Sequence, residues 1–166
     1  MSVAVLFVCL GNICRSPMAE AVMRAKIRAC GLDQLVAVDS AGTGDWHVGE
    51  PPHPGTQEIL LHNGIESVGL QARQIRADDL GRFDYLVMMD GDNYRNVERL
   101  ARRNGSGGRL SYLLDYADRD LTAGERNVPD PYFDGRFDRV YRLVDSGCDG
   151  LLKRIISEHN LAADAA

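Results

Sequence analysis

Cys9 and Arg15 bracket five residues in the run Cys9-Leu-Gly-Asn-Ile-Cys-Arg15-Ser16, which joins a short apolar stretch to a Ser-Pro pair. These side chains suit one chemistry. A thiol at the start of a helix and beside a cation is placed to react as its thiolate. Backbone N–H groups in such a turn converge on one point, and the helix dipole adds about half a positive charge, so the loop can hold a phosphate-like oxyanion. Arg15 adds a planar fork for two phosphoryl oxygens. Ser16 can donate a hydrogen bond to the sulfur, and Asn12 tolerates the left-handed dihedrals of a tight loop. Alone, Cys-x5-Arg-Ser is a loose pattern, because a cysteine at a strand end is often simply a small hydrophobe. Its flanks, a buried strand and a helix start, supply the context that makes it a motif. The chain has no G-x-x-x-x-G-K-[ST] run, and Gly42-Thr-Gly44 lacks the third glycine of a dinucleotide-binding turn.

Elements must place that loop. Val3 to Val8 is a continuous apolar run rich in β-branched residues and reads as a strand buried on both faces. Ser16 is the expected N-cap and Pro17 the first residue of a helix through Ala29, closed by Gly31. Leu35 to Asp39 reads as a second strand. Ala41 to Gly55 holds four glycines and three prolines around the only tryptophan and reads as a long loop. Pro54 to His62 predicts a helix ended by Asn63-Gly64, Tyr85 to Met89 a strand, and Asp92 to Arg103 a polar helix. Gly105 to Gly108 is a turn into a strand over Leu110 to Leu114. Asp115 to Phe133 is a second long loop, of a length that is usually functional in a compact domain. Val140, Leu143, Val144, Cys148, Leu151, Leu152, Ile155 and Ile156 recur at helical spacing and predict a core-facing helix despite Gly147 and Gly150. Strands alternating with helices predict an α/β fold, a doubly wound parallel sheet whose ligands bind at the carboxyl ends of the strands.

Composition sets the boundaries. A chain of 166 residues fits a single domain spanning 1–166. With 45% hydrophobic and 26% charged residues it is neither disordered nor fibrous. No stretch approaches the ~20 apolar residues of a membrane span and the first residues lack a basic signal-peptide region, so a cytoplasmic protein with no membrane partner is expected. Four cysteines are too few for a disulfide scaffold. The net charge of −5 argues against a nucleic-acid partner, and an anionic substrate needs a local positive site to overcome that field.

The run Val5-Leu-Phe-Val-Cys-Leu-Gly-Asn-Ile-Cys-Arg-Ser-Pro17 resembles the signature loop of the low-molecular-weight protein tyrosine phosphatases. The likeness continues in Asp39-Ser-Ala-Gly-Thr43, Ala72-Arg-Gln74, Phe83-Asp-Tyr-Leu-Val-Met-Met-Asp90 and Pro129-Asp-Pro-Tyr132, in the family's order. It implies a four-stranded parallel sheet ordered 2-1-3-4 with helices on both faces. It also implies hydrolysis of phosphotyrosine in proteins through a phosphocysteine on Cys9, with Arg15 binding the phosphoryl group and Asp130 as general acid and base. In-line displacement requires that acid to come from another loop, opposite the sulfur.

By the same resemblance Leu10, Gly11, Asn12, Ile13, Cys14 and Ser16 form the phosphate cradle, and Trp46 and Tyr132 wall its entrance around the aromatic ring. Trp46 could instead anchor its glycine-rich loop in the core. Asp90 matches a residue that supports the cradle, and it also reads as a helix N-cap. Ser40 matches a residue that bonds the loop asparagine. Many relatives carry histidine where this chain has Leu70, a departure that leaves the Asn12–Ser40 network less complete. Relatives imply that Cys14 can pair with an oxidised Cys9. Cys30 and Cys148 fall on apolar helix positions and read as core.

No cofactor is expected and no metal, since His47, His53, His62 and His159 lack a ligand spacing. The protein is expected to act as a monomer. Two rival activities share the fold. Arsenate reduction needs two further shuttling cysteines, and Met88 to Arg99 contains none. Phosphoarginine phosphatases tend to carry threonine where this chain has Ile13, whose apolar bulk suits an aromatic leaving group better. A non-catalytic phosphopeptide-binding module would not keep Cys9, Arg15 and Asp130 together.

Overall fold

The β-branched and aromatic residues Val3–Cys9 form strand β1 of a four-stranded parallel sheet in the computed structural model, which describes residues 2–162. Period-two alternation sends its side chains to two different cores. Val5, Phe7 and Cys9 face helices α1 (Arg15–Ala29), α2 (Pro54–His62) and α7 (Phe137–His159), while Leu6 and Val8 pack with Leu80 of α3 (Asp79–Arg82) and Val97 of α4 (Gly91–Asn104). The unbroken apolar run of β1 is the signature of a strand covered on both faces.

The other strands are β2 (Val36–Gly42), β3 (Tyr85–Met88) and β4 (Arg109–Tyr112), and the order is β2-β1-β3-β4. The chain leaves β1 for one neighbour and reaches the other later, so strand order reverses beside the end of β1. That is the switch point of the sheet, and the Cys9–Arg15 loop sits on it.

Several boundaries differ from expectation, each for a tertiary reason. β2 runs to Gly42 rather than Asp39, because Ser40, Ala41 and Gly42 stay paired with Phe7, Val8 and Cys9. β4 ends at Tyr112, and Leu113–Tyr116 tightens into a 3-10 turn that carries Leu113 and Leu114 into the core. The predicted loop over 115–133 contains two short helices, α5 (Arg119–Thr122) and α6 (Pro131–Asp134), and α3 was not anticipated. Ser16 is not the N-cap. Helix α1 starts at Arg15 with Cys14 at the cap, and the Ser16 hydroxyl is drawn inward to the site. Pro17 is still tolerated, since the first-turn N–H groups have no intrahelical acceptor to lose. Cys30 caps the far end of α1 and is half-buried, whereas Cys148 lies in the core. No helix among the described residues is long and apolar enough to cross a membrane.

The two glycines of α7 mark its closest approach to the 3-10 turn. A Cβ on Gly147 would lie 2.6 Å from Leu113 Cγ, and one on Gly150 would lie 1.8 Å from the Tyr116 carbonyl oxygen. Alanine is normally favoured over glycine in a helix by ~1 kcal/mol. Gly150→Ala is expected to reverse that sign and lower stability by about 1–3 kcal/mol, the cost of forcing packed backbone apart. Urea unfolding checks it, and a more stable variant would contradict the packing described.

Candidate active site

The loop from Cys9 to Arg15 hangs from its neighbours by its carbonyls. Cys9 O and Leu10 O accept from the N–H groups of Thr43 (2.9 Å) and Gly44 (2.9 Å) at the end of β2. Ile13 O accepts from His53 N (2.7 Å) and Cys14 O from the Thr56 hydroxyl (3.0 Å). Gly42 must be glycine for this contact, because a Cβ there would sit 2.8 Å from Leu10 O. With the carbonyls turned outward, the N–H groups of Gly11, Ile13 and Cys14 have no acceptor among the described residues, and all three residues line one cleft. This is an anion cradle of backbone donors at a helix N-terminus.

Asn12 holds the loop's shape. It is nearly buried and its backbone is left-handed at φ 57°, a conformation that asparagine adopts more readily than most residues. Its amide nitrogen donates to Ser16 Oγ (2.8 Å) and Ser40 Oγ (2.9 Å), and its oxygen accepts from Arg73 N (2.9 Å). Ser40 in turn donates to the carboxylate of Glu20 (2.6 Å). Since Ser16 Oγ already accepts from Asn12, its hydroxyl hydrogen is free for Cys9 Sγ, 2.9 Å away, and Asn12 N–H adds a second donor at 3.3 Å. Leu70 packs against the core, and the oxygen of Asn12 accepts from the Arg73 amide.

Glu20 and Arg73 were missed from sequence. Glu20 stands in the buried run Met18–Met23, where a charge on a core face was the available signal. Burial, only partly offset by Ser40 and Arg24, pushes its carboxyl above the ordinary range. Arg73 is clamped by Asp39 (3.0 Å) and Asp79 (2.9 Å), which fixes the strap whose amide meets Asn12.

Arg15 is 3% exposed, and its guanidinium gathers three segments. It donates to Asp90 Oδ2 (2.6 Å) and the Val128 carbonyl (2.9 Å), and it lies 3.6 Å from Asp130 Oδ2. Burial alone would weaken its hold on the proton, but Cys9, Asp90 and Asp130 outweigh that and push its pKa higher still. With its other oxygen Asp90 caps α4 by accepting from Asn93 N (2.8 Å). Asp130 caps α6 through Tyr132 N (3.0 Å) and turns its second oxygen to the cleft.

The cleft, about 170 Å3, is lined by Cys9, Arg15, Trp46, His47, Asp130 and Tyr132 among others. Trp46 is 69% exposed and therefore not a core anchor; its ring lies flat on Gly44, where a Cβ would overlap it at 1.8 Å. Tyr132 is also exposed and packs edge-on against His53 and Phe133. His47 and Phe133 also line the cleft and were not singled out in the sequence. Cys14 packs with Ile13 and Ala72, and burial, reinforced by Cys9 and Asp130 against the pull of Arg15, pushes its thiol up to about 12.

Residues 4–161 match the model of a family described as low molecular weight phosphotyrosine protein phosphatase. The chain is 47% identical over 160 residues to the low molecular weight protein-tyrosine-phosphatase YfkJ of Bacillus subtilis, covering 96% of this chain and 99% of that one. The crystal structure of YfkJ superposes with a TM-score of 0.89 over 95% of this chain and 97% of that one, at 45% identity. A solved Drosophila arginine phosphatase superposes with a TM-score of 0.83 at 32% identity, over 91% of this chain and 96% of that one.

Asn12 offers a direct test of the cradle's support. Asn12→Gly keeps the left-handed backbone and removes the amide, so its turnover of p-nitrophenyl phosphate should fall by about ten- to a hundredfold, the scale of slight misplacement of reacting groups. Full activity in this variant would mean that backbone conformation alone shapes the loop.

Proposed function

The chain belongs to the low molecular weight phosphotyrosine protein phosphatase family, and from that premise we propose that it hydrolyses phosphotyrosine through a phosphocysteine on Cys9. One observation carries the proposal: the Cys9 sulfur, three N–H groups without acceptors among the described residues and the Arg15 fork line a cleft that also holds Asp130.

Bound in that cleft, the phosphoryl oxygens take the loop N–H groups and the Arg15 guanidinium, which the Asp90 carboxylate and Val128 carbonyl hold in orientation. The Cys9 thiolate attacks phosphorus, and the sulfur–phosphorus bond forms as the bond to the phenolic oxygen breaks. Asp130 gives its proton to that oxygen and tyrosine departs. Water then attacks the phosphocysteine, Asp130 takes a water proton, and phosphate leaves with Cys9 restored as thiolate. The Ser16 hydroxyl and Asn12 N–H stabilise sulfur both as nucleophile and as leaving group. Trp46 and Tyr132 enclose the aromatic ring, a use that suits two exposed aromatic side chains in neighbouring loops.

Against phosphoarginine as the preferred substrate stands Ile13, buried in an apolar patch with Cys14 and Ala72, which favours an aromatic leaving group over a guanidinium. The shared fold with an arginine phosphatase does not decide between them. Against arsenate reduction stands the placement of the other thiols. Cys30 lies at the opposite end of α1, roughly 20 Å of helix away, and Cys148 is fully buried, its thiol pushed up by desolvation.

Cys9→Ser should abolish turnover of both p-nitrophenyl phosphate and a phosphotyrosine peptide. Asp130→Ala should slow the peptide by about a hundredfold or more, and p-nitrophenyl phosphate less, because nitrophenolate leaves without needing a proton. Equal losses on the two substrates would remove Asp130 from the role of acid, and faster turnover of phosphoarginine than phosphotyrosine would reverse the substrate order.

We propose in addition that Cys14 traps oxidised Cys9 as a disulfide, and that it does so slowly, since a thiol held near 12 is seldom a thiolate at neutral pH. Peroxide inactivation should be reversible by thiols in the wild type and become irreversible in Cys14→Ala. Equal recovery in both would refute the trap.

A further inference from the structure

Helix α4 presents four arginines, and they divide into two pairs. Arg95 is paired with Asp92 and Arg102 with Glu98 (3.1 Å), acids of the same helix. Arg99 and Arg103 form no salt bridge among the described residues, and the only hydrogen bond from Arg99 goes to the Asn96 carbonyl oxygen of its side chain at 3.3 Å. The two exposed cations are four residues apart and share one helix face, where like charges repel each other.

Both line a second groove, about 360 Å3, whose walls also include Gln74 and Ile75 and contain no Asp or Glu. Leu10 and Trp46 belong to this groove and to the cleft over Cys9, so the two hollows lie on either side of a common wall. A concentrated positive site of this kind is conspicuous in a chain of net charge −5. It matches the local field that an anionic partner requires.

We propose that the Arg99–Arg103 groove holds an anionic side chain of the peptide that presents the phosphotyrosine, a carboxylate or a second phosphoryl group close to it in sequence. The inference rests on the phosphotyrosine reading above. With the ring held against Trp46, the peptide passes over the shared wall, and an extended chain advancing ~3.3 Å per residue brings a side chain about one to three positions away into the groove. Leu10 and Ile75 accept its apolar stem, and the two guanidinium groups accept its charge.

The test compares kcat/KM for p-nitrophenyl phosphate and for phosphotyrosine peptides that carry glutamine, glutamate or a second phosphotyrosine at the flanking positions. The wild type should prefer the anionic peptides by about three- to tenfold at low salt, less at high salt. The double variant Arg99→Ala/Arg103→Ala should lose that preference, and Arg99→Glu/Arg103→Glu should invert it. Turnover of p-nitrophenyl phosphate, which does not reach the groove, should stay within about twofold in both variants, a control for folding. Preference in only one anionic arm would identify which anion the groove takes. Equal rates on neutral and anionic peptides, or a preference that survives the alanine pair, would overturn the proposal while leaving the phosphatase reading intact. Absence of wild-type turnover of p-nitrophenyl phosphate would instead remove the reading on which it rests.

Discussion

A guanidinium that is 97% removed from solvent has to be neutralised and hydrogen-bonded where it lies, and Arg15 meets that demand by tying together three distant stretches of chain. Asp90 reaches it from the end of β3, and the Val128 carbonyl and Asp130 from the segment that leads into α6. Val128 N in turn donates to Met89 O at 2.8 Å, so the segment leading to Asp130 is bound to the end of β3. Cys9 and Asp130, far apart along the chain, share one cleft because of how this buried charge is satisfied.

The sulfur side of the site obeys a second polar constraint. A line of hydrogen bonds runs from Glu20 through Ser40 and Asn12 to Ser16 and Cys9. The carboxylate can only accept from Ser40, so Ser40 must accept from Asn12. Asn12 spends its second amide hydrogen on Ser16, whose own hydrogen is free to reach the sulfur when Cys9 is a thiolate, which can only accept. A fully satisfied polar network in a buried place is rigid, because breaking any link leaves an unpaired polar atom. A backbone amide, from Arg73, donates to the oxygen of Asn12 and ties the network to the strap over 72–74.

Around this rigid floor the surface is of another kind. Leu10, Trp46, Tyr132 and Phe133 are all exposed, an apolar rim on a protein whose other large hydrophobic groups are mostly buried. Trp46 packs on the backbone at Gly44, and Tyr132 packs edge-on against His53, whose ring stacks on Phe137. Such a rim around a polar floor suits a ligand with an anionic head and an aromatic body.

The fold class and the place of the Cys9–Arg15 loop at the end of β1 were legible along the chain. The reason is that these are local: an apolar run of β1, a Cys-x5-Arg turn and a Ser-Pro helix start sit within seventeen residues. Resemblance to a family extended this to Asp130, Trp46 and Tyr132, which no local pattern could have joined to Cys9. Only the tertiary structure decided which polar atoms answer one another. The capping role given to Ser16 lost to its bonds with Cys9 and Asn12, and β2 and β4 ended where pairing and burial dictated rather than where propensity changed. Glu20, Arg73 and the Val128 carbonyl entered the site for the same reason. Hydrogen-bond partners twenty to more than a hundred residues apart are chosen by where the folded chain brings them, and spacing along the chain carries no record of that choice.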